Sequence, residues 1–434
     1  MKSLTTIIAS KTFAADSMRL NDKEESIDAN PRMKDVIAQL KKRAQPLVVD
    51  GVTKISSEEW SQYKLKIVSV NNFPTAAGLA SSASGYACFT RCLAELYGVA
   101  EEYEGELSAI ARQGSGSACR SMYGGWVAWR MGSREDGKDS IAQQVQPASH
   151  WPDMRVLILV ANSGQKETSS TDGMQRSVRT SPLLKFRAEV VVPQRMQAME
   201  QHIRERDFAK FGDLTMADSN QFHATCLDTL PPIFYSQRTH NVARNRSEMP
   251  NAGSVACCAF SCLLTRVVCV SLCALLPLPS LRLYLFPPLV NDTSKSVIHL
   301  IHSFNAYKKV TTAAYTFDAG PNAVVFVMKQ DMEELLAFFL KHFPHPQNQT
   351  GYLHDPMRLS SYAASASASS SGAAAAGEVY TSTAAGVVPA PTNPALDAAV
   401  GKNPHAAHTK VYQIIVSKVG EGPQILNRRN TFAK

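Results

Sequence analysis

Between Asn71 and Ala87 the chain reads NNFPTAAGLASSASGYA, and the architecture follows from how that run is parsed. Upstream, KLKIVSV (Lys64–Val70) alternates polar and apolar residues with the period of a strand. Downstream, Tyr86, Phe89, Leu93, Leu96 and Tyr97 recur at helical spacing and stop at Gly98, a residue suited to the helix exit. The small residues between them join a strand to a helix whose first turn is Ser81-Ser82. Small side chains let the backbone approach a ligand, and the free N–H groups and positive dipole end of a helix start suit a phosphate. A Ser-capped helix after a tight turn fits the same spacing, so the loop alone does not separate the two readings.

Working outward, Leu4–Ala9 reads as a strand. Leu107, Ile110 and Ala111 mark a second helix that runs into Gly114-Ser115-Gly116-Ser117, and Trp126–Trp129 reads as a strand. Met154–Ala161 (MRVLILVA) is a continuous apolar run, expected of a strand covered on both faces. Helical patterns follow over Phe186–Asp207, Phe208–His223 and Ser296–Phe304. Ala313–Lys329 reads strand, turn, strand around Asp318-Ala319-Gly320-Pro321-Asn322. Met332, Leu335, Leu336, Phe339 and Phe343 form one helix face, and Val411–Val419 is a last strand. Ser361–Gly377 has 14 of 17 residues Ala or Ser and reads as a low-complexity linker within an Ala/Ser-rich stretch over 360–400. Interleaved strands and helices predict an α+β or α/β protein of two domains, with no internal repeat.

The 434 residues suffice for two ordinary domains, and 44% apolar with 19% charged residues excludes a disordered chain. The net charge of +8 and the nine cysteines both lean on one segment. Residues 236–290 hold Arg238, Arg244, Arg246, Arg266 and Arg282 against the single acid Glu248, together with Cys257, Cys258, Cys262, Cys269 and Cys273. Without them the tally is 40 Lys+Arg against 36 Asp+Glu, and only Cys88, Cys92, Cys119 and Cys226 remain. These are too sparse for a disulfide framework and read as reduced cytosolic thiols. Cys88 and Cys92 lie at i, i+4 without further ligands, so they read as core residues and no metal site is expected. The N-terminus lacks a long apolar stretch and is not a signal peptide. Ala252–Leu281 approaches the roughly 20 apolar residues of a membrane span. However, Arg266 at its midpoint costs about 2.5–3.5 kcal/mol, and Pro277 and Pro279 break its second half. No basic residues interleave with aromatics on one face, so neither membrane nor nucleic acid is an expected partner.

The pattern Pro-x-x-x-Gly-Leu-x-Ser-Ser at Pro74–Ser82 resembles the ATP-phosphate loop of the GHMP kinase superfamily. The wider run resembles one of its families, the diphosphomevalonate decarboxylases. GSGSACRSMYGG, DGKDSIA, SHWPDMRVLILV, TSPLLKFRAE, DSNQFHATCLDTLPPI, AYTFDAGPNAV and GPQIL resemble it in the same order, over most of residues 1–330 and the tail from about 410. The resemblance implies a two-domain GHMP kinase-like α+β fold. Residues 1–150 would be an ATP-binding domain of the ribosomal protein S5 domain 2 type, and 151–235 with 291–420 a ferredoxin-like C-terminal domain. The implied reaction converts (R)-5-diphosphomevalonate and ATP to isopentenyl diphosphate, CO2, ADP and phosphate, with Mg2+ carried on ATP, in a cytoplasmic homodimer.

Residue by residue, the resemblance implies that Ala77, Gly78, Leu79, Ala80, Ser81 and Ser82 hold ATP. Asp318 matches the aspartate that orients or deprotonates the 3-hydroxyl; unaided, it reads as an ordinary turn Asp. Arg120 matches the arginine beside the substrate carboxylate, which a planar guanidinium suits; unaided, it reads as a solvated surface residue. Ser115, Gly116, Ser117, Ala118 and Cys119 match the loop that cradles substrate, and Arg32 and Thr171 further diphosphate contacts.

Two departures accompany the resemblance. Nothing here matches the family's opening strand with its Tyr-Trp-Gly-Lys run, so no residue is available for that lysine's role. An N-terminally truncated reading frame, lacking the first strand of the sheet, is expected. Residues 236–290 separate Tyr235 from Asn291, two segments that are contiguous in the family, and are expected to be an in-frame retained intron. Competing readings are a GHMP small-molecule kinase, which would leave the carboxylate in place, and an inactive truncated or mis-spliced form. The run SACR favours decarboxylation.

Overall fold

The computed structural model describes residues 2–73, 79–161, 170–234, 292–344, 352–360, 393–401, 403, 405 and 409–426. The expected insertion at 236–290 and the linker Ser361–Gly377 lie outside them.

The first sheet has the order β1-β6-β2-β3. Strand β1 (Ser3–Ser10) runs antiparallel to β6 (Lys64–Asn71), from Ser3 opposite Asn71 to Ser10 opposite Lys64. β2 (Ser17–Leu20) lies parallel to β6 and pairs with β3 (Lys23–Glu25). The predicted alternation of β6 holds: Leu65 and Ile67 point into the core, and Lys66, Val68 and Val70 point out. Helices α1 (Pro31–Lys42) and α2 (Ser81–Tyr97) cover the inner face, burying Val36, Leu40, Phe89, Leu93 and Tyr97 around Trp60. The α2 exit at Gly98 is left-handed (φ 62°), as the sequence requires. The polar stretch before β6 hides α1, β2, β3 and the hairpin of β4 (Leu47–Val49) and β5 (Val52–Ile55), elements too short or too polar to announce themselves. Helix α3 (Glu106–Gly114), a 3-10 turn over Gly116–Met122, and the hairpin of β7 (Trp126–Trp129) and β8 (Ala142–Gln146) complete this half.

The second sheet centres on β9 (Met154–Val160), flanked by β11 (Ala323–Met328) and β13 (Gln413–Lys418). β10 (Ala313–Phe317) and β12 (Leu353–His354) are its edges. All neighbours are antiparallel except β12 with β13. β9 is covered on both faces, as its apolar run predicts. Leu157 and Leu159 join Val325 and Val327 in a core roofed by α8 (Asp292–Lys308) and α9 (Lys329–His342). On the opposite face Ile158, Val160 and Ile415 pack against Phe73 and Leu79 from the first half.

Between these lie α4 (Ser170–Thr180), α5 (Pro182–Phe186), α6 (Val192–Glu205) and α7 (Phe208–Asp228); α10 (Pro394–Val400) packs on α8. The long helical pattern expected over Phe186–Asp207 lies in one continuous helical run over 182–205. It starts at Pro182, where the Ser181 hydroxyl accepts the Leu184 N–H (3.0 Å), and Arg187–Val191 wind as a π turn before α6. Pro193 cannot donate to the carbonyl four residues back, so the helical ladder reorganises there. Arg187 forks onto Asp218 at 2.7 and 2.8 Å and Arg195 adds a third contact at 2.9 Å, tying this run to α7. Helices α7 and α8 extend beyond their apolar patterns, to Asp228 and back to Asp292.

Candidate active site

The loop Pro74–Gly78, which contains the predicted Ala77 and Gly78, lies outside the described residues, but both of its flanks are fixed. Phe73 and Leu79 are buried in the cluster that joins the halves, so each end of the loop is pinned on the back of the second sheet. Ala80 follows with φ 53°, a left-handed conformation that costs a non-glycine residue about 1–2 kcal/mol. It precedes α2 without a capping side-chain hydrogen bond. Ser82 is exposed.

Opposite, α3 ends in the Ser115–Arg120 segment. The Ser82 and Ser115 hydroxyl oxygens are 3.2 Å apart, so the predicted nucleotide and substrate segments touch. Ser115, Gly116 and Ser117 are half-buried, whereas Ala118 and Cys119 are wholly enclosed. Burial pushes the Cys119 thiol above its ordinary value against the pull of Arg120, and its Sγ donates to the Gly116 carbonyl at 3.1 Å. Cys119 is therefore a neutral packing thiol. Arg120 is exposed and lies over the Trp129 ring, its Cζ 5.6 Å from the centroid. Trp129 in turn donates its indole N–H to Ser140 Oγ at 3.1 Å.

Two residues to which the sequence reading gave no role at the site organise these pieces. Tyr86, on α2, lies so close to Gly114 that a Cβ there would fall 2.1 Å from the ring. Its hydroxyl donates to Asn30 Oδ1 at 3.2 Å, and the same oxygen caps α1 by accepting the Met33 N–H. Burial raises the Tyr86 phenol above its usual range, with Asn30 and the Arg32 charge opposing. Arg32 is thus set at the start of α1, and its Nη1 donates to Thr171 Oγ1 on α4 at 3.4 Å. The spacing of Tyr86 fits an apolar helix stripe equally well, so only the ring's neighbours reveal its role.

Asp318 is carried on the turn between β10 and β11. It is the exposed residue of a buried stretch: Phe317 before it and Ala319–Asn322 after it are enclosed. Asn322 Oδ1 accepts the Ala161 N–H at 2.8 Å and Ser294 Oγ donates to the Pro321 carbonyl at 3.2 Å, so the turn is braced from β9 and α8. Asp318 is therefore a carboxylate offered to solvent from a rigid support.

Residues 1–142 match the diphosphomevalonate decarboxylase-like N-terminal domain, and residues 156–246 with 282–426 match the mevalonate 5-diphosphate decarboxylase C-terminal domain. The chain is 42% identical over 429 residues to the human diphosphomevalonate decarboxylase, covering 98% of this chain and 84% of that one. The chain belongs to the diphosphomevalonate decarboxylase family. Its fold is similar to that of the Trypanosoma brucei mevalonate diphosphate decarboxylase, with a TM-score of 0.67 at 28% identity over 100% of this chain and 88% of the other. It is also similar to a structure described as MDDEF in complex with MVAPP, AMPPCP and magnesium, with a TM-score of 0.55 at 26% identity over 79% and 82%. The family fits the mixed helix-and-sheet architecture.

Among the described residues no group of three or more His, Cys, Asp or Glu side chains is placed to hold a metal ion, and no helix is long and apolar enough to cross a membrane.

Proposed function

We propose that this chain converts mevalonate 5-diphosphate and ATP to isopentenyl diphosphate, CO2, ADP and phosphate. The observation that carries the reading is the 42% identity to the human decarboxylase along nearly the whole chain. Two side-chain contacts that join candidate site residues support it, Ser82 with Ser115 and Arg32 with Thr171. A kinase reading that keeps the carboxylate is not favoured.

In this reading residues 1–150 form the nucleotide-binding domain of S5 domain 2 type, and 151–235 with 291–420 the ferredoxin-like one. Ala77–Ser82 bind ATP through main-chain N–H groups and serine hydroxyls. Magnesium, carried on the phosphate oxygens, supplies charge neutralisation; Mg2+ keeps waters and needs few protein ligands, so the donor set is compatible with it. Arg32 and Thr171 contact the substrate diphosphate, and the Ser115–Cys119 loop cradles the substrate. Arg120 holds the carboxylate until it leaves, its guanidinium plane kept by Trp129. Asp318 orients the 3-hydroxyl and takes its proton. The enzyme would act as a cytoplasmic homodimer. The C-terminal match is interrupted between 246 and 282, which supports an insertion lying inside 236–290 and shorter than it.

The test is product balance with the purified chain. Equal release of CO2, ADP and phosphate from mevalonate 5-diphosphate supports the reading. ADP formed with the carboxylate retained in a phosphorylated product would replace it with a kinase.

A further inference from the structure

Ser140 lies in the run DGKDSIA (Asp136–Ala142), on the loop that joins β7 to β8, and it is buried. Its hydroxyl accepts the Trp129 indole N–H at 3.1 Å and directs its own proton at the Arg130 carbonyl, 3.4 Å away. The ring is held at its other end as well, since a Cβ on Gly116 would stand 3.4 Å from Trp129 Cη2. Between these two ends its face lies under the Arg120 guanidinium. Along β7, Trp126 and Ala128 are buried, whereas Val127 and Trp129, on the alternate positions, are half-buried. Ser140 itself stands on a braced loop. Arg112 of α3 donates through Nε to the Ser140 carbonyl at 3.0 Å and through Nη2 to the Gly137 carbonyl at 2.9 Å. Asp139 accepts the Ser133 N–H at 2.7 Å, and the Ser108 hydroxyl accepts the Ala142 N–H at 3.0 Å.

We propose that Ser140 is a positioning residue for Arg120: its hydroxyl pins the Trp129 ring, and the ring sets where the guanidinium stands when it meets the substrate carboxylate. This rests on reading Arg120 as the group that holds that carboxylate. Three features favour positioning over plain packing. The contact is polar and directional, so a ring whose N–H is fixed on one acceptor cannot turn without losing the bond. The ring lies against Arg120 and outside the aromatic cluster of Trp126, Trp151 and Phe211, where a tryptophan serving the core would be placed. The acceptor is tied by Arg112 to α3, the helix that ends at Gly114 and delivers the Ser115–Arg120 segment, so ring and guanidinium share one support. A guanidinium stacked on an aromatic face takes its plane from that face, and a tilt of the ring is passed on to it.

The test is steady-state kinetics with melting on the full chain. Ser140→Ala should lower kcat/KM for mevalonate 5-diphosphate about three- to fivefold, the scale of a weakened cation–π contact, with KM for ATP within about 1.5-fold. Trp129→Phe, which keeps an aromatic face but has no N–H to pin, should cost about as much, and Ser140→Ala should then cost less than about 1.5-fold further. In an Arg120→Lys background, where the stacking is already lost, Ser140→Ala should again cost less than about 1.5-fold. If Ser140→Ala does not fold, Trp129→Phe carries the test alone and in the Arg120→Lys background. Unchanged kcat/KM in a folded Ser140→Ala or Trp129→Phe, or an equal loss in the Arg120→Lys background, overturns the proposal. Full activity of Arg120→Ala would instead overturn the reading of Arg120 itself, so the two failures are distinguishable.

Discussion

Arg32 and Thr171 meet: 139 residues apart in the chain, the guanidinium Nη1 of one stands 3.4 Å from the hydroxyl of the other. Each residue alone is an unremarkable polar side chain. Together they join the start of α1 to the start of α4. At 3.4 Å the bond between them is weak, which suits two donors that share an anionic ligand. Arg32→Ala is expected to raise KM for mevalonate 5-diphosphate about tenfold or more while kcat changes little, and Thr171→Ala to do so less. Arg32→Lys should recover only part, because a point charge replaces a fork. A KM unchanged in Arg32→Ala would remove this residue from the substrate site.

Gly114 has no room for a methyl group, because Tyr86 occupies the place. Gly114→Ala should destabilise the protein by about 1–3 kcal/mol, as overpacking does, and should weaken activity through the Ser115 segment. Adding Tyr86→Ala should restore part of the lost melting temperature, though not the activity, because the support of Asn30 and Gly114 goes with the ring. Differential scanning calorimetry on the two single variants and the double variant checks the coupling.

Among the described residues Arg120 is held by an aromatic face and by no acid. Trp129→Leu should therefore leave the fold intact and lower kcat/KM by about three- to tenfold, the worth of a cation–π contact near 1 kcal/mol. Arg120→Lys should be far more damaging than its conserved charge suggests, since bidentate geometry and stacking are both lost. Equal activity of Arg120→Lys and wild type would rule out a bidentate role.

Buried thiols give the protein an alkaline weakness. Burial, with help from Cys88, pushes Cys92 up to about 11 from its ordinary 9.0, and Cys226 is pushed up to about 12. The unfolded chain releases these protons first, so folding stability is complete below about pH 9 and falls above it, by about 1.4 kcal/mol per pH unit for each thiol until the folded values are reached. The buried phenols of Tyr97 and Tyr352, also raised by burial, add to the slope above pH 10. Urea midpoints measured from pH 8 to 11 should fall in the wild type and fall less steeply in Cys92→Ala. The same thiols should resist alkylation at pH 8 until the protein is unfolded.

Much of this was legible before any coordinate. The period-two pattern of β6, the helical stripe ending at Gly98 and the unbroken apolar run of β9 each name their element because a single periodicity dominates it. What stayed hidden was short or depended on distant partners. β2 to β5 have three or four residues each, too few for a period to register. The π turn before α6 leads into Pro193, whose effect on the ladder the apolar spacing does not report. At the candidate site, Arg120 and Asp318 stand out only through their likeness to the family's motifs; unaided, each reads as an ordinary polar residue. Tyr86 and Asn30 have no such likeness to help them, because what makes them matter is the residue they touch across the fold, and a linear pattern carries no such information.

Phe73 and Leu79 make the ends of the proposed nucleotide loop a shared possession of the two halves. Prising the halves apart would expose the rear of the second sheet and release both ends of the loop in the same motion. The halves should then melt in one cooperative step, and ATP, by gripping the loop, should act as a clasp that raises the melting point of the remote β9 sheet as much as that of its own surroundings.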